Sequence, residues 1–144
     1  MDHANFYGWE EAMQVRADGC PGIRTAYDLY DKLLKCWRAD TCAPRMRADW
    51  SEANPTLGQC SITAFLVQDL LGGRVDGILL PDGSYHCFNV VDGHAFDLTS
   101  EQFLPQILDY SNVTEQFRET HFASEEKRLR YELLKARLTR ELYD

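Results

Sequence analysis

Hydrophobic positions along the chain recur first at helical spacing, then alternate, then return to helical spacing. Thr25 opens the first clear helix, with Asp28 three residues on in capping-box style, and Leu29, Leu33, Leu34 and Trp37 make its apolar stripe. That helix ends before Asp40. An irregular stretch follows through Cys42, Pro44, Met46, Trp50 and Pro55. Pro55 and Gly58 keep the next approach non-helical, and Ile62, Phe65, Leu66 and Leu70 then recur as a helix that Gly72 stops. From here the period drops to two. Strands are predicted over 75–80, 84–91 and 94–98, joined by the turns Pro81-Asp82-Gly83 and Asp92-Gly93. Thr99 with Gln102 predicts a short capped helix bearing Phe103 and Ile107. Residues 109–123 carry no clear pattern. Ser124 then caps a long amphipathic helix with Leu129, Leu133 and Ala136 beside Tyr131, Leu134 and Leu138.

This order predicts an α+β fold, in which N-terminal helices precede a cysteine-bearing helix packed on a small antiparallel sheet, and an amphipathic helix closes the chain. At 144 residues one domain is expected. Within it, residues 1–24 read as an accessory segment holding Phe6, Tyr7, Trp9 and Met13 in a short helix. Residues 25–104 read as the core and 105–144 as a C-terminal helical region. No internal repeat and no phosphate-binding glycine pattern is present.

Composition narrows the function classes. Hydrophobic residues are 44% and charged residues 26% of the chain, ordinary values for a globular protein. The formal net charge of −8 argues against nucleic acid or an anionic membrane as partner. No apolar run approaches the roughly 20 residues of a membrane span. The start, Met1-Asp2-His3-Ala4-Asn5, lacks the basic and apolar regions of a signal peptide, so a cytoplasmic location is expected. Five cysteines (Cys20, Cys36, Cys42, Cys60 and Cys87) are an odd number, read as thiols in a reducing compartment. None forms a C-x-x-C pair, so a structural zinc site has little support; no metal and no cofactor is expected. The oligomeric state is left open.

The chemistry centres on Cys60. At the start of a helix, unpaired backbone N–H groups and the positive end of the dipole favour a thiolate, the form a nucleophile needs. The competing reading is a buried cysteine serving as a small hydrophobe. Pairing across a two-residue Asp92-Gly93 turn sets Val91 opposite His94, Val90 opposite Ala95 and Asn89 opposite Phe96. Side chains alternate, so His86 shares a face with Asp97, while His94 falls on the other face. An aspartate there can orient the imidazole and stabilise its charged form. A Cys60–His86–Asp97 relay follows, with backbone N–H groups, Gln59 and Asn89 as candidate oxyanion or supporting groups. The plainer reading makes His86 an ordinary strand residue and Asp97 a helix-entry residue. Trp50, Tyr85 and Phe88 are candidate cleft aromatics, although core packing also accounts for Trp50. His3 and His121 have no supporting context, and Cys87 is expected to point away from His86 and be buried.

Several segments resemble one family. Residues 49–55 (Asp-Trp-Ser-Glu-Ala-Asn-Pro), Gly58-Gln59-Cys60, Val67-Gln68-Asp69 with Gly72-Gly73, His86 with Asn89, and Asp92-Gly93 followed by Phe96-Asp97-Leu98-Thr99 and Gln102-Phe103 resemble the YunG-like family of small bacterial proteins. Trp37, Thr41-Cys42, Pro44 and Arg130-Tyr131-Glu132-Leu133-Leu134 extend the resemblance over residues 27 to 138. More distantly, a cysteine on a helix followed by His and Asp on successive strands is similar to transglutaminase-core and papain-like cysteine hydrolases. That likeness implies a papain-like (transglutaminase-core-like) fold and acyl transfer: a peptidase, amidase or deamidase acting on a small molecule, peptide or protein. The alternative is a non-catalytic binding module on the same fold. A third reading uses Cys60, His86 and Asp97 as an adventitious zinc site.

Overall fold

The computed structural model describes residues 5–143; the expectations for His3 and the chain's first residues lie outside that range. Two short helices come first: α1 spans Trp9–Ala12 and α2 spans Ala26–Leu33. The capping box of α2 forms as its sequence specifies. The Asp28 carboxylate accepts the N–H groups of Arg24 at 2.9 Å and Thr25 at 3.1 Å, which satisfies donors that the helix cannot. Leu29, Leu33 and Trp37 are buried, whereas Leu34, which falls off that face, is exposed.

The irregular stretch contains two 3₁₀ turns, Ala39–Thr41 and Pro44–Asp49. Next comes α3, Cys60–Leu71, whose residues from Ser61 to Val67 are all buried. A helix apolar all round belongs in the interior. It lies on a four-stranded antiparallel sheet built from β1 (Arg74–Leu79), β2 (Tyr85–Val91), β3 (His94–Phe96) and β4 (Thr114–Gln116), in the order β3-β2-β1-β4. After the sheet come α4, Arg118–His121, and α5, Glu125–Tyr143.

The β2–β3 register is the predicted one: Asn89 pairs with Phe96, Val90 with Ala95 and Val91 with His94. Asp92 (φ 51°) and Gly93 (φ 80°) both take positive φ, the two-residue turn whose twist matches the flanking strands. Alternation therefore sorts β2 cleanly. Cys87, Asn89 and Val91 face α3. Phe88 and Val90 face the other way, where Ile78, Ala95, Leu108, Tyr110 and Val113 form a smaller apolar cluster.

The larger core joins both ends of the chain. Phe6, Ala12 and Val15 share it with Phe65, Phe96, Leu134, Leu138 and Leu142. Residues 5–24, expected to be accessory, thus supply core side chains, and Tyr7 pairs with Asp97 as an extra edge bridge. The C-terminal region is not helical throughout, since β4 lies within it and pairs with β1. In α5 the buried face is Tyr131, Leu134, Leu138 and Leu142. Leu129 lies outside it and is exposed.

Candidate active site

Cys60 is the first residue of α3, reached through a tight approach. Gly58 adopts φ +70°, and a Cβ there would fall 2.5 Å from the Cys42 sulfur and 2.9 Å from the Ala43 nitrogen. Only glycine fits. The Gly58 N–H is tied to Oε1 of Gln102 at 3.2 Å. No side chain caps α3, so donors of its first turn stay available beside the thiol. The half-buried Cys60 sulfur lies 4.0 Å from the carbonyl of Tyr85, which sets it level with the first residues of β2.

His86 follows immediately. Its Nε2 lies 2.5 Å from Oδ2 of Asp97, both side chains being 1% exposed. Asp97 is held on every side. Oδ1 accepts the Thr99 N–H at 3.1 Å and hydroxyl at 3.3 Å, Oδ2 accepts the Tyr110 hydroxyl at 2.6 Å, and the Asp97 N–H donates to the Tyr7 carbonyl at 2.9 Å. Tyr7 stacks on Tyr110 with ring centroids 3.6 Å apart, and Phe103 meets the imidazole edge-on at 4.7 Å. These contacts fix which ring nitrogen faces the carboxylate. Nδ1 of His86 is buried and without a hydrogen-bond partner.

Electrostatics follow from this geometry. Burial opposes charge on His86, but the adjoining Asp97 carboxylate outweighs it and holds the imidazolium up to about 10. The Cys60 thiol is pushed well below its ordinary value. The neighbouring Cys87 thiol is the largest cause, burial opposes it, and the His86 charge adds to the effect. Cys87 moves the other way and stays a buried thiol, because a second anion beside Cys60 is unfavourable and burial reinforces this. Thiolate and imidazolium are thus the favoured pair.

Both groups open on one cavity of about 680 Å³, lined also by Gly58, Ser61, Tyr85, Gln102 and Phe103. Four of the expected oxyanion and cleft residues do not line it. Gln59 is fully buried and donates from Nε2 to the Arg38 carbonyl at 3.0 Å. Asn89 is on the α3-facing side of β2 and donates to the Ala64 carbonyl at 2.9 Å, tying helix to strand. Phe88 is 3% exposed in the second apolar cluster, where it meets Tyr110 edge-on. Trp50 also lies elsewhere, donating to the Pro55 carbonyl at 3.0 Å beside Trp37 and Arg38. Tyr85 does line the cavity. Among the described residues no group of three His, Cys, Asp or Glu is placed to hold a metal ion.

The structure also adds residues that pattern reading passed over. Tyr110 lies in the stretch without periodicity, and nothing local links it to Asp97. His121 lines the cavity, donating from Nε2 to Oε1 of Gln116 and accepting the Lys127 ammonium at Nδ1, each at 2.9 Å. Burial, with Lys127 adding, holds His121 down at about 4, so its ring is neutral.

No solved structure matches this chain. It is similar to an uncharacterized protein of Bacillus subtilis (strain 168), YunG, with 33% identity over 82 residues, which cover 57% of this chain and 70% of that one. A family model described as YunG protein matches residues 25–143, a stretch that contains Cys60, His86 and Asp97, and the chain belongs to the YunG family.

Proposed function

We propose that this protein is a cysteine-dependent hydrolase or acyl-transferase, a peptidase, amidase or deamidase, on a papain-like or transglutaminase-core-like fold. One observation carries the reading: a buried imidazole locked to a carboxylate through Nε2 keeps Nδ1 unpartnered, and His86 lines the same cavity as a thiol at a helix start. In this reading Cys60 Sγ forms a bond to a substrate carbonyl carbon. The proton on His86 Nδ1 passes to the leaving amine or alcohol as its bond to carbon breaks. Water or an acceptor amine then attacks the thioester, returning a proton to His86 and releasing Sγ. Asp97 acts as a positioning residue that fixes the tautomer and stabilises the imidazolium. The backbone N–H groups at the start of α3 serve the oxyanion, in place of Gln59 and Asn89, whose side chains are committed elsewhere. The cytoplasm suits such an enzyme, because a reducing compartment preserves the five free thiols.

The test is the rate at which Cys60 is alkylated by iodoacetamide near neutral pH, followed by mass spectrometry. The expected result is a rate well above that of free cysteine, lost in His86→Ala. A rate no faster than free cysteine, unchanged by His86→Ala, overturns the proposal. The binding-module reading draws on the long 4.0 Å contact of the Cys60 sulfur, but it loses Trp50 and Phe88 as cleft aromatics. A Cys60→Ser variant with undiminished cellular function favours that module.

A further inference from the structure

The Cys60 cavity is also lined by Thr120, His121, Ser124, Lys127 and Arg130, and by Arg45, none of which enters the thiol chemistry. Three of its described lining residues are permanent cations and none is a carboxylate, in a chain of formal net charge −8. Two of the cations are already neutralised, Arg45 by Asp82 at 3.0 Å and Arg130 by Glu126 at 2.5 Å. Lys127 is different. Among the described residues it has no carboxylate partner, and its ammonium instead donates to Nδ1 of His121. Gln116 fixes the opposite nitrogen of that ring as the donor, so His121 anchors the ammonium without cancelling its charge. Lys127 is half-buried, and partial burial strengthens such an uncancelled charge. The uncapped N-terminal end of α3, at Cys60, borders the same space and adds positive potential.

We infer that the cavity selects an acyl substrate carrying a carboxylate, seated against Lys127 while its carbonyl meets Cys60. This rests on the thiol reading above, and the two can fail separately. Iodoacetate and iodoacetamide share a two-carbon skeleton and differ by a carboxylate for a carboxamide. Each is attacked by the thiolate, an S–C bond forming as iodide leaves. The quantity to measure is the iodoacetate-to-iodoacetamide rate ratio at Cys60, divided by the same ratio for free cysteine.

The expected value is about tenfold above unity at low ionic strength, the size of one unscreened charge nearby. It should shrink toward unity in about 1 M salt. Lys127→Met should remove most of the preference and Lys127→Arg should keep it, with folding of both confirmed by thermal melts. A wild-type value near unity with fast iodoacetamide alkylation overturns this inference alone, whatever the variants do. A preference that persists in folded Lys127→Met also overturns it, assigning the charge to the His86 imidazolium. Inertness of Cys60 to both reagents overturns the thiol reading and this inference together.

Discussion

At the scale of single residues, the site is a set of buried groups whose charges depend on one another. His86 is held up to about 10 from 6.5, so its charge stabilises the fold below about pH 6.5 and that contribution is lost as pH rises through about 10. Cys60 is depressed, so its contribution is present above the ordinary thiol range and is lost as pH falls through the lowered value. Between those limits the thiolate–imidazolium pair persists. Turnover should therefore hold across neutral pH and fall on the alkaline side near pH 10, where His86 no longer has a proton to give. A bell-shaped kcat/KM profile checks this, and an alkaline limb near the ordinary histidine value contradicts it. Asp97 is the residue on which this depends. Asp97→Ala strands a buried imidazole and should cost about 3–5 kcal/mol in chemical denaturation. In that variant the main group opposing burial at His86 is gone and only Cys60 still favours its charge, so the alkaline limb should move well down from about 10. Tyr110→Phe is the milder change, costing about 1–3 kcal/mol for the lost donor on a buried carboxylate. With one fewer donor, Asp97 holds the imidazolium more tightly, and the limb should move up.

At the scale of elements, the decisive piece is the β2–β3 hairpin. Asp92-Gly93 specifies a two-residue turn, a two-residue turn fixes register, and register puts His86 on the face of Asp97. Each step is local, which is why this part of the site was legible in the sequence. One residue inserted after Gly93 should move one of the pair to the other face. Fast Cys60 alkylation should then disappear while the helices persist by circular dichroism. What was not legible is equally physical. β4 is a three-residue edge strand whose pairing with β1 is a long-range event, so no local periodicity announces it, and Tyr110 just before it reaches Asp97 only through that chain path. Phe88 read as a cleft aromatic because alternation gives its face but not what covers that face, here Leu108, Tyr110 and Val113. Gln59 and Asn89 misled for a related reason. Their neighbours in sequence are site residues, but each side chain satisfies a buried backbone carbonyl, Arg38 or Ala64. Gly73 shows the same local logic at the helix–sheet junction. With φ +76°, its added Cβ would fall 2.2 Å from the Val90 carbonyl oxygen, so Gly73→Ala should destabilise by at least about 2 kcal/mol.

At the scale of the molecule, the site is held by parts of the chain far apart in sequence. α5 clamps the first half through Arg130 to the Thr41 carbonyl at 3.1 Å, Arg137 to Asp40 at 2.6 Å, and Tyr131 to Asp69. The N-terminal segment lies ahead of the region that the family model matches, which begins at residue 25. It nevertheless touches Asp97 itself, since Tyr7 supplies the carbonyl that binds the Asp97 N–H and the ring that stacks on Tyr110. Phe6 anchors this contact, fully buried and stacked on Tyr30 at 5.3 Å. Two effects of Phe6→Ala can therefore be separated. The core loses a buried phenyl ring, which should cost about 3–5 kcal/mol by denaturant titration. The Tyr7–Asp97 bridge also loosens, so the folded variant should alkylate more slowly at Cys60 than the wild type. Leu134→Ala provides the control. It removes a fully buried side chain on α5 and should cost about 2–5 kcal/mol, yet it touches neither Tyr7 nor Tyr110. If both variants lose stability but only Phe6→Ala slows alkylation under conditions where each is folded, the first residues are a working part of the site. Equal rates in the two variants would reduce them to core filling.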